Sequence, residues 1–533
     1  MTPVRSPYPS LVMVRTAALP LLALALGACA PVPSQPDLAA IYARVSETAD
    51  TSVRRPLITI PGTLGSRLRD RETGTVIWGG GSRGLSADPE DPVEATLIAL
   101  PIISPDLPFS AHRDGIVPDG ILDRAAPEVF GIPLDIEVYG GVLRTLSAGG
   151  FRSTPKASLR SEPQEEGDGP TFEDYQLISE GRANSFRFDY DWRRDIPTLA
   201  REFDAFIQLR KRQVAAVRSI YESRTVSPEE ITFDLLAHSM GGLVSRYYLM
   251  HGTAELPEDG SLPPITWDGA RHFSRVVIVA APNAGSIIAM DNLVNGKSLG
   301  PLQPFYPAPL LATHASVWQL FPRARHGRLR AIDGAVLDPL DASLWQRYNW
   351  GLLAPEADPL LSWLMPDVPD AFERRQRAGA HQARLLRRAE QFHRAIDRWA
   401  PKPEGLEMFQ VVGGGFSTPA DGEVDPVTGT FTLTDREEGD GVVLRASVLL
   451  DERQGTESTS GLVTPLRFDT TLFLPDEHVE LTKNPVFGDN LLFWLLEQPR
   501  GAAALAEPRR SVLSPSPQPT ADPPRRTFDA EDR

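Results

Sequence analysis

An α/β fold is predicted for this chain of 533 residues, with a mostly parallel central sheet, helices on both faces and an inserted cap or lid. Three observations predict it. Apolar runs rich in β-branched residues alternate with helical patterns, which is typical of parallel strands joined by covering helices. One of these runs leads through a serine directly into a helix. Two long segments interrupt the alternation and have the length of insertions.

The alternating pattern predicts the elements of the core in order. Strands are expected at 57–60, 185–190, 231–236, 275–281 and 408–412, and helices at 138–147, 198–221 and 241–251. The helix at 198–221 has an apolar face that predicts core packing, formed by Leu199, Phe203, Phe206, Ile207, Val214, Val217 and Tyr221. A further strand-like run precedes His478, and a last helix is expected at 486–496.

The second interrupting segment divides the core into two parts, 55–296 and 405–498, and the first segment lies within the first part. Residues 81–137 are rich in Gly, Pro and Asp, and we interpret them as an insertion into the first part. Residues 297–404 contain many aromatic side chains and end in an arginine-rich helix, whose charged face we expect to be solvated. This second segment is predicted to be the cap, with its aromatic part, 305–363, covering the site.

The N-terminus has the pattern of a bacterial lipoprotein signal peptide, residues 1–28. A basic start and a short apolar run lead to Leu-Gly-Ala-Cys, in which Cys29 is the expected lipidation site and the single cysteine of the chain. Residues 29–54 would be the lipidated cysteine and a tether. This pattern predicts an exported lipoprotein of the cell envelope, at the outer membrane and facing the periplasm or the exterior. The tail, 499–533, is rich in Pro, Ser, Arg and Asp and is predicted to be disordered.

The composition and motifs of the chain argue against several classes of ligand. A formal net charge of −16 argues against nucleic acid, because basic patches supply most of that affinity. The acidic stretch DGEVDPVTG lacks the glycine and the distal glutamate of a calcium loop, and it reads as part of a β-hairpin. The chain also lacks an H-E-x-x-H motif. We therefore predict no metal and no cofactor.

The candidate nucleophile is Ser239, in the run DLLAHSMGGLVSRYYL. It lies in an A-x-S-x-G pattern, with Ala237 before it and Gly241 after it. Such a strand-to-helix turn needs small residues, because the turn is strained and the two backbones pass close together. The alternative interpretation is a buried serine in an ordinary turn.

A serine hydroxyl needs a base, and the base needs a carboxylate to orient it. His478 lies on a late loop, which suits a Ser, then acid, then His order along the chain; the alternative is a plain surface histidine. The rival His238 is adjacent to Ser239 and is expected to point away from it. Asp440, between Gly439 and Gly441, is the candidate acid because a tight turn presents its carboxylate.

The reaction also requires two backbone N–H groups that bind the oxyanion of the tetrahedral intermediate. Met240, the residue after the nucleophile, is expected to supply one. The loop after the first strand, in LITIPGTLGS, is expected to supply the other from Thr63. The alternative is that this loop only turns the chain.

Taken together, these motifs resemble the lecithin:cholesterol acyltransferase family, which includes lysosomal phospholipase A2 and the phospholipid:diacylglycerol acyltransferases. The matching runs are LITIPGTLGSRL with Trp78 after it, YGGVLRTLSAGGF, FRFDYDWRRD, LLAHSMGGLVSRYYL, VVIVAAPNAGS, EEGDGVV and DEHVELTKNPVFGDNLL. The resemblance implies an α/β-hydrolase fold. It also implies Ser239 as nucleophile, Asp440 as acid, His478 as base, and Thr63 and Met240 as oxyanion donors, whereas Asp191 and Arg193 would form a structural ion pair.

The resemblance predicts a serine-dependent lipid O-acyltransferase or phospholipase. Its acyl donor would be a lipid ester or phospholipid, its acceptor water or an alcohol, and its contact with the membrane the lipid anchor. Two alternatives remain. One is a simple carboxylesterase or lipase that transfers acyl groups only to water, and the other is a non-catalytic envelope lipoprotein on a hydrolase scaffold.

Overall fold

The computed structural model describes residues 37–48, 54–80, 87–104, 107–122, 139–152, 184–298, 304–453 and 461–497, with four two-residue strands between 124 and 137. The predicted signal peptide, Cys29 and the tail 499–533 lie outside these residues. Part of the predicted tether forms a helix, Leu38–Thr48, and the N–H of Leu38 donates to Asp489 at 3.0 Å. Among the described residues, none of the helices is both long enough and apolar enough to span a bilayer.

Six parallel strands form the central sheet. They are β1 (Leu57–Ile60), β2 (Ser185–Arg187), β3 (Phe233–His238), β4 (Phe273–Val279), β5 (Glu407–Gly413) and β6 (Thr470–Leu474). Their spatial order is β6-β5-β4-β3-β1-β2, and each neighbouring pair is parallel. The predicted α/β class is confirmed, and the chain has the α/β-hydrolase fold with β3 near the middle of the sheet.

The principal helices are α1 (Gly140–Ala148), α2 (Ile196–Tyr221), α3 (Met240–His251), α4 (Ile287–Asn295), α5 (Ala371–Ile396) and α6 (Pro485–Leu496). Shorter helices are Pro92–Ile98, Ala308–Leu311, Ala315–Gln319, Ala342–Tyr348, Asp358–Leu364 and Arg445–Leu449, and 3-10 turns are Phe109–Ala111, Pro228–Glu230, Asp268–His272, Gly351–Leu353, Pro355–Ala357 and Glu480–Lys483.

Helices cover both faces of the sheet. On one face, a row of paired residues that includes Leu235 and Met408 packs into the same apolar core as the inner sides of α2 and α3. The next row faces the other way, and there the ring of Phe409 stacks on Trp494 of α6 at a centroid distance of 4.8 Å. A Cβ on Gly149, just after α1, would lie 2.5 Å from Leu492, so α1 and α6 pack closely on this second face.

Three strands differ by two or more residues at an end from the sequence prediction. One of them, expected at 275–281, is Phe273–Val279 and ends where Ala280 has a φ of 51°. The strand expected at 185–190 ends at Arg187, because Asp189 accepts the N–H of Gly120 and the N–H of Tyr190 donates to Ser66. The strand expected at 231–236 is shifted to Phe233–His238, because Ile231 closes a preceding 3-10 turn by donating to Pro228. At 185–190 these bonds to distant segments replace sheet bonds, and at 231–236 a local bond does so.

Smaller sheets lie outside the central one. A three-stranded antiparallel sheet joins Ser66–Asp70, Val76–Trp78 and Ile116–Ile121, so part of segment 81–137 extends the loop that follows β1. A four-stranded sheet joins Val336–Leu337, Leu329–Ala331, Gly422–Val424 and Phe431–Leu433, and its last pair is the expected hairpin. Strands Phe416–Pro419 and Arg436–Gly439 pair antiparallel, as do Lys297–Ser298 and Phe305–Tyr306.

Segment 297–404 contributes most of a second apolar core. Trp318, Trp345 and Phe321 pack ring against ring there and are completely buried. Side chains of α4 and of the hairpin at 422–433 complete this core. The aromatic side chains that the sequence suggested as a cover over the site are therefore in large part the interior of the cap itself.

The arginine-rich helix α5 differs from its predicted solvated face. Arg388 is 5 % exposed and pairs with the buried Asp195 at 2.9 Å, and Arg384 pairs with Glu258 at 3.0 Å. Both acids belong to segments outside the cap. The prediction was wrong for these arginines because their partners lie far away in sequence, and ion pairing allows charged side chains to be buried.

Candidate active site

Ser239 occupies a strained turn between β3 and α3. Its φ of 53° and ψ of −127° are unusual for a residue with a Cβ. The neighbouring glycine explains how the turn fits, because a Cβ on Gly241 would lie 2.4 Å from the carbonyl oxygen of Pro61. The loop after β1 is equally close, since a Cβ on Gly62 would lie 2.7 Å from the Cβ of Ser239. The small residues of the motif therefore bring the serine against this loop.

The structure brings Ser239, His478 and Asp440 into one hydrogen-bonded chain. The Oγ of Ser239 lies 2.9 Å from Nε2 of His478, and Nδ1 of His478 lies 2.8 Å from Oδ2 of Asp440. His478 is 8 % exposed and Asp440 is completely buried. Because the carboxylate only accepts, Nδ1 carries the proton, and Nε2 is free to accept the serine hydroxyl proton. This is the arrangement of a nucleophile, a general base and an orienting acid.

Asp440 is fixed by the turn that follows strand Arg436–Gly439. Its Oδ1 accepts the N–H groups of Val442 at 3.0 Å and Val443 at 2.7 Å. Gly441 has a φ of +88°, which the turn requires and which glycine adopts without strain. Burial by itself would raise the pKa of Asp440, but the adjacent His478 and these N–H groups outweigh it, so the pKa lies below the ordinary value. The carboxylate therefore stays ionised at neutral pH.

The loop after β1, residues 61–66, lies beside the nucleophile and is held by buried aromatic side chains. The hydroxyl of Tyr190 donates to the carbonyl oxygen of Pro61 at 2.8 Å, and Nε1 of Trp78 donates to that of Leu64, also at 2.8 Å. Thr63 in this loop donates its hydroxyl to the sulfur of Met240 at 3.3 Å. The two residues predicted to supply oxyanion donors are thus in contact, and the role of their N–H groups stays a prediction.

His238 contacts the site without reaching the nucleophile in the manner of a base. Its Nδ1 lies 2.8 Å from the hydroxyl of Tyr139, and its Nε2 lies 3.1 Å from the backbone oxygen of His478. Burial, together with the nearby His478, lowers the pKa of His238 to about 3. Sequence reasoning set this histidine aside as a base but missed its bond to the His478 loop, because nothing in the local pattern marks Tyr139 as its partner.

Asp191 and Arg193 form the expected ion pair. Nη2 of Arg193 lies 2.8 Å from Asp191, and the same guanidinium bonds Asp114 at 3.0 Å. Its Nη1 also donates to the carbonyl oxygens at the end of helix Pro92–Ile98. Burial would raise the pKa of Asp191, but the charge of Arg193 outweighs it and lowers the pKa. The pair therefore joins the core to the first insertion, a contact that the sequence did not reveal.

Within the described ranges, no group of three or more histidine, cysteine or acidic side chains could hold a metal ion. Two acidic side chains of DGEVDPVTG, the stretch considered for calcium, have ion-pair or hydrogen-bond partners in the protein. Asp421 pairs with Arg328 at 2.8 Å, and Asp425 accepts the N–H groups of the hairpin turn at Val427 and Thr428.

Comparisons with known proteins give one family. Residues 181–350 match the family model described as lecithin:cholesterol acyltransferase, and this range contains Ser239 and the Asp191–Arg193 pair. No curated protein sequence matches the chain. A chain of the crystal structure of the Tle4–Tli4 complex is similar, with 15 % identity, a TM-score of 0.47, and coverage of 83 % of this chain and 98 % of that one.

A second solved structure, lipase 1 from Pelosinus fermentans, has 12 % identity and a TM-score of 0.27, covering 61 % of this chain and 92 % of that one. Both TM-scores are too low to support an argument from shape. The fold assignment therefore depends on the parallel sheet and the position of Ser239 after β3.

Proposed function

Residues 181–350 belong to the lecithin:cholesterol acyltransferase family, and from this premise we propose that the protein cleaves a lipid ester through an acyl-enzyme on Ser239. The family supports lipid acyltransferase or esterase activity in general. The observation that carries the specific proposal is the chain of hydrogen bonds from Ser239 through His478 to Asp440. A non-catalytic scaffold has no need of a strained serine joined to a histidine and a buried carboxylate.

In the proposed reaction, Oγ of Ser239 attacks the ester carbonyl carbon while Nε2 of His478 takes the hydroxyl proton. Asp440 holds the imidazole and stabilises its protonated form. The N–H groups of Met240 and Thr63 bind the developing oxyanion, each worth about 3–4 kcal/mol in comparable sites. His478 then gives its proton to the leaving alcohol as the carbon–oxygen bond breaks, and the acyl group remains on Ser239.

The second half of the reaction admits two acceptors. Water attacking the acyl-enzyme gives a free fatty acid and a phospholipase or lipase, whereas a second alcohol gives a new ester and an O-acyltransferase. Family membership favours transfer as the first candidate. Hydrolysis is the second candidate, because the side chains 305–363 that were expected to exclude water from the site are mainly interior to the cap.

Product analysis separates the two candidates. The protein is incubated with a phospholipid labelled in its acyl chain, with and without a long-chain or sterol-like alcohol, and the lipid products are resolved. A labelled ester that grows with alcohol concentration supports transfer. Free fatty acid as the sole product at every alcohol concentration leaves only hydrolysis. Ser239→Ala is the matched control, and turnover that persists in it would refute the acyl-enzyme.

We also propose that Cys29 is lipidated and anchors the protein in the cell envelope; its support is the sequence motif alone. In the native host, Cys29→Ser should prevent processing and release the protein from the membrane fraction. Mass spectrometry of the mature N-terminus decides the question, and an unmodified Cys29 in the membrane-bound protein would contradict the anchor.

A further inference from the structure

A buried hydrogen-bond chain connects the loop after β1 to the backbone of the proposed base. The N–H of Gly62 lies 2.8 Å from the hydroxyl of Tyr139, and that hydroxyl lies 2.8 Å from Nδ1 of His238. Nε2 of His238 lies 3.1 Å from the carbonyl oxygen of His478. The chain thus passes from one side of Ser239 to the other without including it.

Chemistry fixes the direction of each bond. The N–H of Gly62 can only donate, so the hydroxyl of Tyr139 accepts it and directs its own proton to Nδ1 of His238. Nδ1 therefore accepts, and the single ring proton of neutral His238 lies on Nε2, where it donates to the carbonyl of His478. Every bond in the chain is satisfied only in this arrangement.

The two side chains of this hydrogen-bond chain, Tyr139 and His238, keep their protonation states near neutral pH. Tyr139 and His238 are 4 % and 5 % exposed, and burial raises the pKa of Tyr139. Burial and the proximity of His478 lower the pKa of His238 to about 3, so the imidazole of His238 is neutral at neutral pH. The imidazole rings of His238 and His478 have centroids 4.9 Å apart, and a neutral His238 does not repel the imidazolium that forms on His478.

We infer that Tyr139 and His238 are positioning residues for the proposed reaction, holding the backbone of His478 in register with the loop that carries Gly62 and Thr63. This inference depends on the proposed function of Ser239. His478 must place Nε2 first at the serine hydroxyl and then at the oxygen of the leaving alcohol, and small displacements of such groups reduce rates strongly. A fixed carbonyl at His478 limits the movement of its side chain.

The test compares two esters of the same acid in a soluble assay. A nitrophenolate leaves without a proton, whereas an alkyl alcohol needs the proton that His478 delivers. Tyr139→Phe should lower kcat for the alkyl ester about tenfold, the size expected when a buried donor or acceptor loses its partner, with KM unchanged. The loss for the nitrophenyl ester should be smaller. General destabilisation of the fold would reduce both rates alike.

Tyr247→Phe is the matched control, because Tyr247 is also buried. Its hydroxyl donates to the carbonyl oxygen of Ala254 at 2.8 Å, which is not part of the hydrogen-bond chain from Gly62 to His478. Tyr247→Phe should leave both rates unchanged and lower the melting temperature about as much as Tyr139→Phe. His238→Gln keeps a donor and an acceptor and should retain more activity than His238→Leu. Tyr139→Phe added to His238→Leu should cause little further loss, because the chain is already broken.

Two results would overturn the inference by itself: an unchanged kcat in Tyr139→Phe, or equal losses on both esters that follow the melting temperature. A wild-type protein without Ser239-dependent turnover of either ester would instead overturn the proposed function, and the positioning role with it.

Discussion

The backbone of Ser239 stores strain that its neighbours hold in place. A residue with a Cβ at this φ costs about 1–3 kcal/mol, and glycine there does not. We predict that Ser239→Ala and Ser239→Gly both lose ester cleavage and labelling by a fluorophosphonate, and that the glycine variant is about 1 kcal/mol more stable than the alanine variant. Urea denaturation of both measures the difference; equal stability would show that the turn is not strained.

The substitution Asp440→Asn tests whether Asp440 orients the imidazole of His478. Asp440→Asn preserves the size of the side chain but turns an N–H towards His478 or fixes its wrong tautomer. We expect kcat to fall by about 10⁴-fold with little change in KM. Asp425→Asn is the control, because Asp425 carries the same type of turn bonds on the exposed hairpin. Comparable losses in both variants would contradict the assignment of the acid.

At this scale, local sequence singled out the three residues that the structure joins by hydrogen bonds, and their catalytic roles stay predictions. Ser239 and Asp440 are marked by small neighbours, and His478 by its place after the last strand run. Tyr139 begins the run YGGVLRTLSAGGF, but nothing in that run indicates which residue its hydroxyl contacts. It is 99 residues from His238, and only the packing of α1 against the sheet brings its hydroxyl to the imidazole.

Among the elements, the short helix Ala315–Gln319 shows how the cap is held. Trp318 in this helix is completely buried, with its ring 4.6 Å from that of Trp345 and its Nε1 donating to Ala312 at 3.0 Å. We predict that Trp318→Ala destabilises the protein by about 3–5 kcal/mol through the cavity that it leaves. The effect will appear in the denaturation midpoint.

Phe305→Ala is the comparison, because Phe305 is 53 % exposed and its loss should change the midpoint little. A Trp318→Ala variant with wild-type stability and altered products would support the prediction that segment 305–363 covers the site.

The elements themselves were predictable to different degrees. The five core strands follow from apolar runs, because a strand buried on both faces has few polar positions. The burial of Arg388 in α5 did not follow, because the helix alone is polar and its partner Asp195 precedes α2. Ion pairs between segments that are far apart in sequence produce no local pattern, so the ion pairs that connect the cap to the core could be identified only from the structure.

The molecule as a whole buries nearly all its histidines. Eight of the nine have a pKa below the ordinary value of 6.5, and in each the largest cause is burial; they are His112, His238, His251, His272, His314, His326, His381 and His393. Below pH 6.5 these histidines bind protons in the unfolded chain but stay neutral in the folded protein. The contribution of these histidines to the free energy of unfolding is therefore fully present above pH 6.5, and it is lost as the pH falls towards their pKa values in the folded protein.

We predict a steep loss of stability in acid, up to about 1.4 kcal/mol per pH unit for each histidine. Urea denaturation between pH 8 and about pH 5 measures the slope. His381→Leu should flatten it by one proton and cost little at neutral pH, because neither ring nitrogen of His381 has a hydrogen-bond partner. A slope that is flat in the wild type would contradict the buried, neutral state of these side chains.

The position of β6 at the edge of the sheet has a consequence for biosynthesis. Among the strands that the structure describes, it pairs with β5 alone, and the loop that follows it carries His478, so the base joins the site after Ser239, Asp440 and most of the other described elements have been made. Chains fold from the N-terminus as they leave the ribosome. A nascent chain that already contains Ser239 and Asp440 still lacks its proton acceptor, and the proposed lipid cleavage cannot begin until the loop after β6 has been made.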